Sequence, residues 1–213
     1  MDLNCLDIET YQKLPQIVIG FHGCDKSIAD KVLCDPLTHL TPSKNGYDWL
    51  GDGIYFWLND PHRAYEWAKQ TQKRDPNKIK QPYVIGAIID LGMCLNFCER
   101  SAIKLLQKSY EDLADALKKL DIDIKTELIN KTPDEGGFNL IRPLDAAIIN
   151  NLHKMIAPQK IEFDTVYGYF QEGKDAYFGA GVREKTHIQV CVRNLNCIKG
   201  YFLPRYKQSP TER

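Results

Sequence analysis

The stretch Gly51-Asp52-Gly53-Ile54-Tyr55-Phe56-Trp57 leads through Asn59-Asp60-Pro61 into Ala64-Tyr65-Glu66-Trp67-Ala68, and its reading decides the architecture. Gly53 to Trp57 is aromatic and β-branched, the composition of a strand on a pleated, half-buried surface. Asn59-Asp60-Pro61 then signals a helix start. A carboxylate stands ready to cap, and proline falls at the first helical position, where its missing N–H is not needed. The helix is predicted to run to about Gln72.

Working outward toward the N-terminus, Ile17-Val18-Ile19-Gly20-Phe21-His22 is a short apolar run ending at Gly23, the pattern of a buried strand. Lys26 to Leu33 reads as a short helix with Asp25 as its N-cap, and Cys34 to Leu50, with Pro36, Pro42, Asn45 and Gly46, reads as loop. Toward the C-terminus, polar Lys73 to Gln81 leads to a central strand over Tyr83 to Ile89. Ser101 to Leu120 has apolar residues at helical period, Gly136-Gly137 interrupts, and Leu144 to Met155 is helical again. Strands return at Phe163 to Phe170, His187 to Val192 and Cys197 to Leu203, with a Gly-rich bend from Gly173 to Gly181. Strands at both ends around a helical middle predict one α+β domain over 1–213, with a split, bent β core and a helical insertion at about 99–157.

Composition limits the partners. Lys+Arg and Asp+Glu both number 28, so bulk charge does not hold this chain to nucleic acid. No run approaches eighteen apolar residues, and the first ten residues do not form a secretory signal, which implies a cytoplasmic protein with no membrane partner. The seven Cys residues are irregularly spaced. Cys94 and Cys98 form the close pair, with no second pair or His at zinc spacing, so reduced thiols and no metal are expected.

Three pieces then coincide in order: His22-Gly23 at a strand end, Gly51-Asp52-Gly53-Ile54-Tyr55-Phe56, and Ala64-Tyr65 in the following helix. Together they resemble the nicotinamide pocket of the ADP-ribosyltransferases, in the His-Tyr-Glu branch of diphtheria toxin and the poly(ADP-ribose) polymerases. The match covers about a third of the chain directly. It implies NAD as substrate, with His22, Tyr55 and Glu184 catalytic and His22, Gly23, Tyr55, Tyr65 and His62 contacting the dinucleotide. Cys24 stands where many relatives have Ser or Thr, and His62 where they often have a Ser that holds the carboxamide.

The chemistry suits these residue types. Two tyrosines stack on the flat, cationic nicotinamide ring, and Gly23 allows its backbone close approach to the carboxamide. His22 is expected to donate to a hydroxyl of the adenosine-side ribose. Breaking the nicotinamide–ribose bond develops positive charge on the ribose, which a carboxylate stabilises. Glu184 has the family's position at the start of a late strand, after a loop (Glu172 to Gly181) that corresponds to the target-recognition loop. Glu172 in that loop is its competitor. There is no G-x-G-x-x-G after a strand, which argues against a Rossmann dehydrogenase. His153 and His187 are read as structural, and Trp49, Trp57 and Trp67 as walls of the pocket.

The resemblance implies transfer of ADP-ribose to a macromolecular acceptor, protein or nucleic acid, by a small toxin-like or defence enzyme that would have an antitoxin or regulatory partner. Modification of nucleic acid would use a basic rim at Lys73, Arg74, Lys78 and Lys80. A plain NAD glycohydrolase and a non-catalytic module that binds NAD or ADP-ribose are the alternatives.

Overall fold

The computed structural model describes residues 17–205. Nine strands and five α-helices follow in chain order. They are β1 (Ile17–Asp25), α1 (Lys26–Cys34), β2 (Ile54–Leu58), α2 (Pro61–Arg74), β3 (Pro82–Asp90), β4 (Cys94–Asn96) and α3 (Arg100–Lys118). After these come α4 (Ile124–Glu127), β5 (Lys131–Pro133), β6 (Asn139–Ile141), α5 (Pro143–Ile156), β7 (Thr165–Asp175), β8 (Arg183–Val192) and β9 (Ile198–Phe202). Seven strands form one sheet in the order β4-β7-β8-β2-β1-β3-β9, antiparallel except for β4 beside β7, and β5 and β6 form a separate hairpin. The fold is α+β, as the strand–helix–strand distribution predicts.

The capping chemistry works as the sequence indicates. The Asp25 side chain accepts from the Ser27 backbone N–H and starts α1, and Asp60 accepts from Arg63 N–H to start α2 with Pro61 in its first turn. Asp25 also accepts from the backbone N–H groups of Lys80 and Gln81, which ties α1 to the entry of β3. These donors hold its carboxyl well below the usual carboxylate range.

The two sheet faces carry different cores. One face contributes Ile54, Phe56, Ile85, Ala87, Ile89, Val190 and Val192, covered by Ala29 and Val32 of α1. On the other, α2 packs Ala64 against Trp57 and Val84, with Phe21 and Trp67 beside them. Along β7 and β8 this second face is covered instead by the insertion, through Ile149 and Leu152, and by Leu50 of the loop before β2, against Val166, Phe170 and Cys191. Where the cover changes from α2 to the insertion the two meet along a buried seam, a crevice in the packing of this face.

Three details depart from the sequence reading. β4 is a further strand, paired over three residues with β7. β7 continues through Glu172 to Asp175, so Glu172 sits on a paired strand rather than in the bend. The hairpin β5–β6 lies within the insertion, where the Gly136-Gly137 break was expected. The last two follow from pairing across the sheet and hairpin, which local composition does not report.

Candidate functional site

The site is built around an interruption in the sheet. Ile19 accepts from the Asn59 N–H, so the odd-numbered residues of β1 turn their peptide groups toward β2. The β1–β2 register consists of Gly20↔Leu58 and Phe21↔Trp57. A regular sheet would next pair Gly23 with Tyr55. Instead the His22 ring enters the gap, and its Nδ1 lies 2.7 Å from the Tyr55 carbonyl oxygen. β1 and β2 part there, and the peptide edge of Gly23 faces the opening. Gly23 is glycine by necessity, since a Cβ would overlap the Ala64 carbonyl of α2 and crowd Ala68.

A carbonyl only accepts, so His22 Nδ1 carries the proton and Nε2 of the neutral ring offers a lone pair. Burial lowers the imidazole pKa, opposed by the bond to Tyr55, and favours that neutral form. His22 Nε2 is therefore an acceptor, where the sequence reading has it donate.

Tyr55 shares the gap through its backbone, while its side chain points into the insertion core. Its hydroxyl donates to the Gly51 carbonyl (2.6 Å) and accepts from the Leu50 N–H (2.8 Å), and burial keeps it protonated against the pull of the Leu50 N–H. Gly51 has a φ of 76°, which glycine tolerates and which turns its carbonyl toward the phenol. The phenol thus closes the loop that leads into β2.

The aromatic of α2 beside His22 is Trp67, with ring centroids 6.4 Å apart, and Trp67 also lies 6.0 Å from Trp57. Tyr65 precedes it by two positions, which a helix sends to a different side. Tyr65 is 42% exposed, its ring covered by the Lys69 ammonium at 5.2 Å, and His62 is exposed too. Geometry brings together His22, Gly23, the Tyr55 backbone and Trp67, and leaves His62 and Tyr65 outside.

The two carboxylates differ in the same way. Along β8, His187, Gln189 and Cys191 face the crevice, so Glu184 falls on the opposite side, exposed. Glu172 on β7 shares the crevice face with Phe170 and is 6% exposed. Arg63, from the first turn of α2, donates to it through Nη2 at 2.5 Å. Sequence reasoning passed over Arg63 and Gln189 because neither carries a motif. For Gln189 the signal was alternation: counting by twos from Cys191 through Gln189 to His187 puts polar side chains on a buried face, whereas Arg63 on its helix carried no such signal.

The bend between β7 and β8 exposes Phe178 fully and Tyr177 largely to solvent. Its base is held by Asp134 of the β5–β6 hairpin, which accepts from the N–H groups of Gly136, Phe138 and Gly173. Among the described residues, no group of three or more His, Cys, Asp or Glu could hold a metal ion, and no helix is long and apolar enough to cross a membrane.

No protein-family model matches the chain, and no solved structure does. It is similar to an uncharacterized protein of Methanocaldococcus jannaschii, 28% identical over 198 residues that span 84% of this chain and 83% of the relative.

Proposed function

We propose that the chain binds NAD at the opening between β1 and β2 and transfers its ADP-ribosyl group, with release of nicotinamide, to a macromolecular acceptor. The observation that carries this reading is the interrupted sheet. A His takes the carbonyl that would continue the ladder, so a glycine peptide edge is left facing a cleft beside an indole. A peptide edge recognises a carboxamide, Trp67 stacks on a cationic ring, and the Nε2 lone pair of His22 receives a ribose hydroxyl. The site differs from the sequence expectation in several places: His22 accepts where a donor is expected, and neither the Tyr55 ring nor His62 takes part. Trp67 takes the stacking role assigned to Tyr65, and Glu172 takes the carboxylate role assigned to Glu184.

In this mechanism the bond from the ribose carbon to the nicotinamide nitrogen breaks with its electron pair going to nicotinamide. Glu172 stabilises the cation that develops, and the acceptor's nucleophilic atom adds to that carbon and gives up its proton to solvent. The free thiols of Cys24, Cys94, Cys191 and Cys197 fit a reducing cytoplasm. A toxin-like or defence role with a regulatory partner rests on the family resemblance alone.

A second reading, a module that binds NAD or ADP-ribose without turnover, is favoured by one observation. Gln189 stands opposite Trp57 on the crevice face, and the carboxylate nearby is neutralised by Arg63. One experiment separates the two. The protein is incubated with NAD labelled on the adenosine side, free nicotinamide is measured, and protein and nucleic-acid fractions of a lysate are counted. Nicotinamide release with label in either fraction supports transfer, release without incorporation supports hydrolysis, and binding without release supports the module. Neither binding nor release would remove the NAD reading.

A further inference from the structure

The crevice where the cover passes from α2 to the insertion holds five buried polar side chains: Trp57, Arg63, Glu172, His187 and Gln189, each between 4% and 7% exposed. The sheet register sets their spacing. Trp57 is opposite Gln189 and Phe170 is opposite His187, so Trp57 and Glu172 are both diagonal neighbours of His187 on one face. Diagonal positions lie ~7–8 Å apart, near enough for one planar group to span them.

Three of these side chains carry a buried polar atom with no protein partner: Trp57 Nε1, Arg63 Nε and His187 Nε2. Their polarities are fixed. The indole and guanidinium nitrogens donate. His187 Nδ1 lies 2.6 Å from the Lys185 carbonyl and must donate to it, so Nε2 of the neutral ring accepts. Buried polar groups are normally paired, and each unpaired one costs stability. Two unpaired donors beside an unpaired acceptor form a complementary set. Arg63 and Glu172 cancel in charge, so the set does not select an anion. The Trp49 and Phe170 rings stand 6.0 and 5.8 Å from the His187 ring and make its surroundings aromatic.

We infer that this crevice is a ligand site for a planar, uncharged edge that carries an N–H donor next to an acceptor, read by Trp57, Arg63 and His187. The acceptors flanking the N–H would receive the Trp57 Nε1–H and the Arg63 Nε–H, and the N–H would donate to His187 Nε2. With the carboxamide of nicotinamide placed at the Gly23 edge, the group of the proposed dinucleotide that has such an edge is the amino edge of adenine. The choice of probes rests on the NAD reading, whereas the site geometry does not.

The test uses the full chain and follows indole and imidazole nitrogen resonances during separate titrations with nicotinamide and adenosine. Adenosine is expected to shift Trp57 Nε1–H and His187 Nε2 saturably, and saturable shifts with nicotinamide instead would overturn the adenine assignment. Trp57→Phe removes one donor and keeps a ring, and Arg63→Lys removes the Nε–H and keeps the charge. Each is expected to weaken binding roughly five- to tenfold. Shifts with neither probe, or unchanged affinity in both variants, would overturn the assignment and leave bound water as the partner of these atoms. NAD turnover without fragment shifts would spare the NAD reading while ending this inference. Fragment binding without NAD turnover would do the reverse.

Discussion

His22 Nδ1 and the Tyr55 carbonyl oxygen lie 2.7 Å apart at the point where β1 and β2 part. The side chain replaces a rung of the sheet, so one bond both ends the ladder and opens the cleft. It also fixes the tautomer that the cleft presents. Replacing His22 with Ala leaves the half-buried Tyr55 carbonyl without its donor, at a cost of about 1–3 kcal/mol in urea denaturation. NAD affinity by calorimetry should fall in the same variant. Unchanged affinity with reduced stability would make His22 a purely structural residue.

The buried pair on the crevice face separates the two carboxylates. Glu172→Gln leaves buried Arg63 with only its longer contact to the exposed Glu66 and should destabilise by about 3 kcal/mol, and the double variant Arg63→Met, Glu172→Met should recover much of that. Glu184 is exposed, so Glu184→Gln should stay within about 0.5 kcal/mol of the parent. For nicotinamide release from saturating NAD, measured where each protein is folded by circular dichroism, Glu172→Gln should lose on the order of a hundredfold. Glu184→Gln should keep parental turnover. The opposite ranking would return the catalytic role to Glu184.

Trp67 and Tyr65 offer a similar contrast on α2. Trp67→Ala removes the ring beside His22 and should weaken NAD binding by about 1 kcal/mol or more. Tyr65→Ala removes an exposed ring that pairs with Lys69 and should leave affinity nearly unchanged. Equal losses in calorimetry would mean that the dinucleotide reaches both sides of the helix.

Acid should unfold the protein through its buried histidines. Burial lowers the pKa of His22 and His187, and that of His153 from 6.5 to about 3. The unfolded chain takes up these protons near its ordinary pKa while the folded chain resists. The stability is therefore fully present above 6.5 and is lost as pH falls from there toward 3. Urea midpoints should drop progressively across that window, and less steeply in His153→Phe. A midpoint that stays flat from pH 7 to pH 4 would contradict the assigned burial.

The sequence by itself determined what local chemistry can encode. Asp25, Asp60 and Pro61 place helix starts within a residue, because capping uses a side chain and the N–H groups just after it. The apolar runs around His22, Tyr55 and Ile85 place the strands, and helical periodicity places α3 and α5. His22 and Tyr55 were legible as a pair for the same reason: each closes a motif with its own glycine. Tertiary structure decided which side chains meet. Tyr65 and Trp67 are two steps apart on one helix, and only the packing of Ala64 and Ala68 against Gly23 turns Trp67 toward His22. Glu184 and Glu172 are equally acidic, but the β7–β8 register puts one in solvent and the other beneath α2, opposite a charge supplied from 109 residues away. A strand's alternation is local, but the face that becomes the interior is set by what packs on it, and here the insertion and α2 each cover one part of the same face.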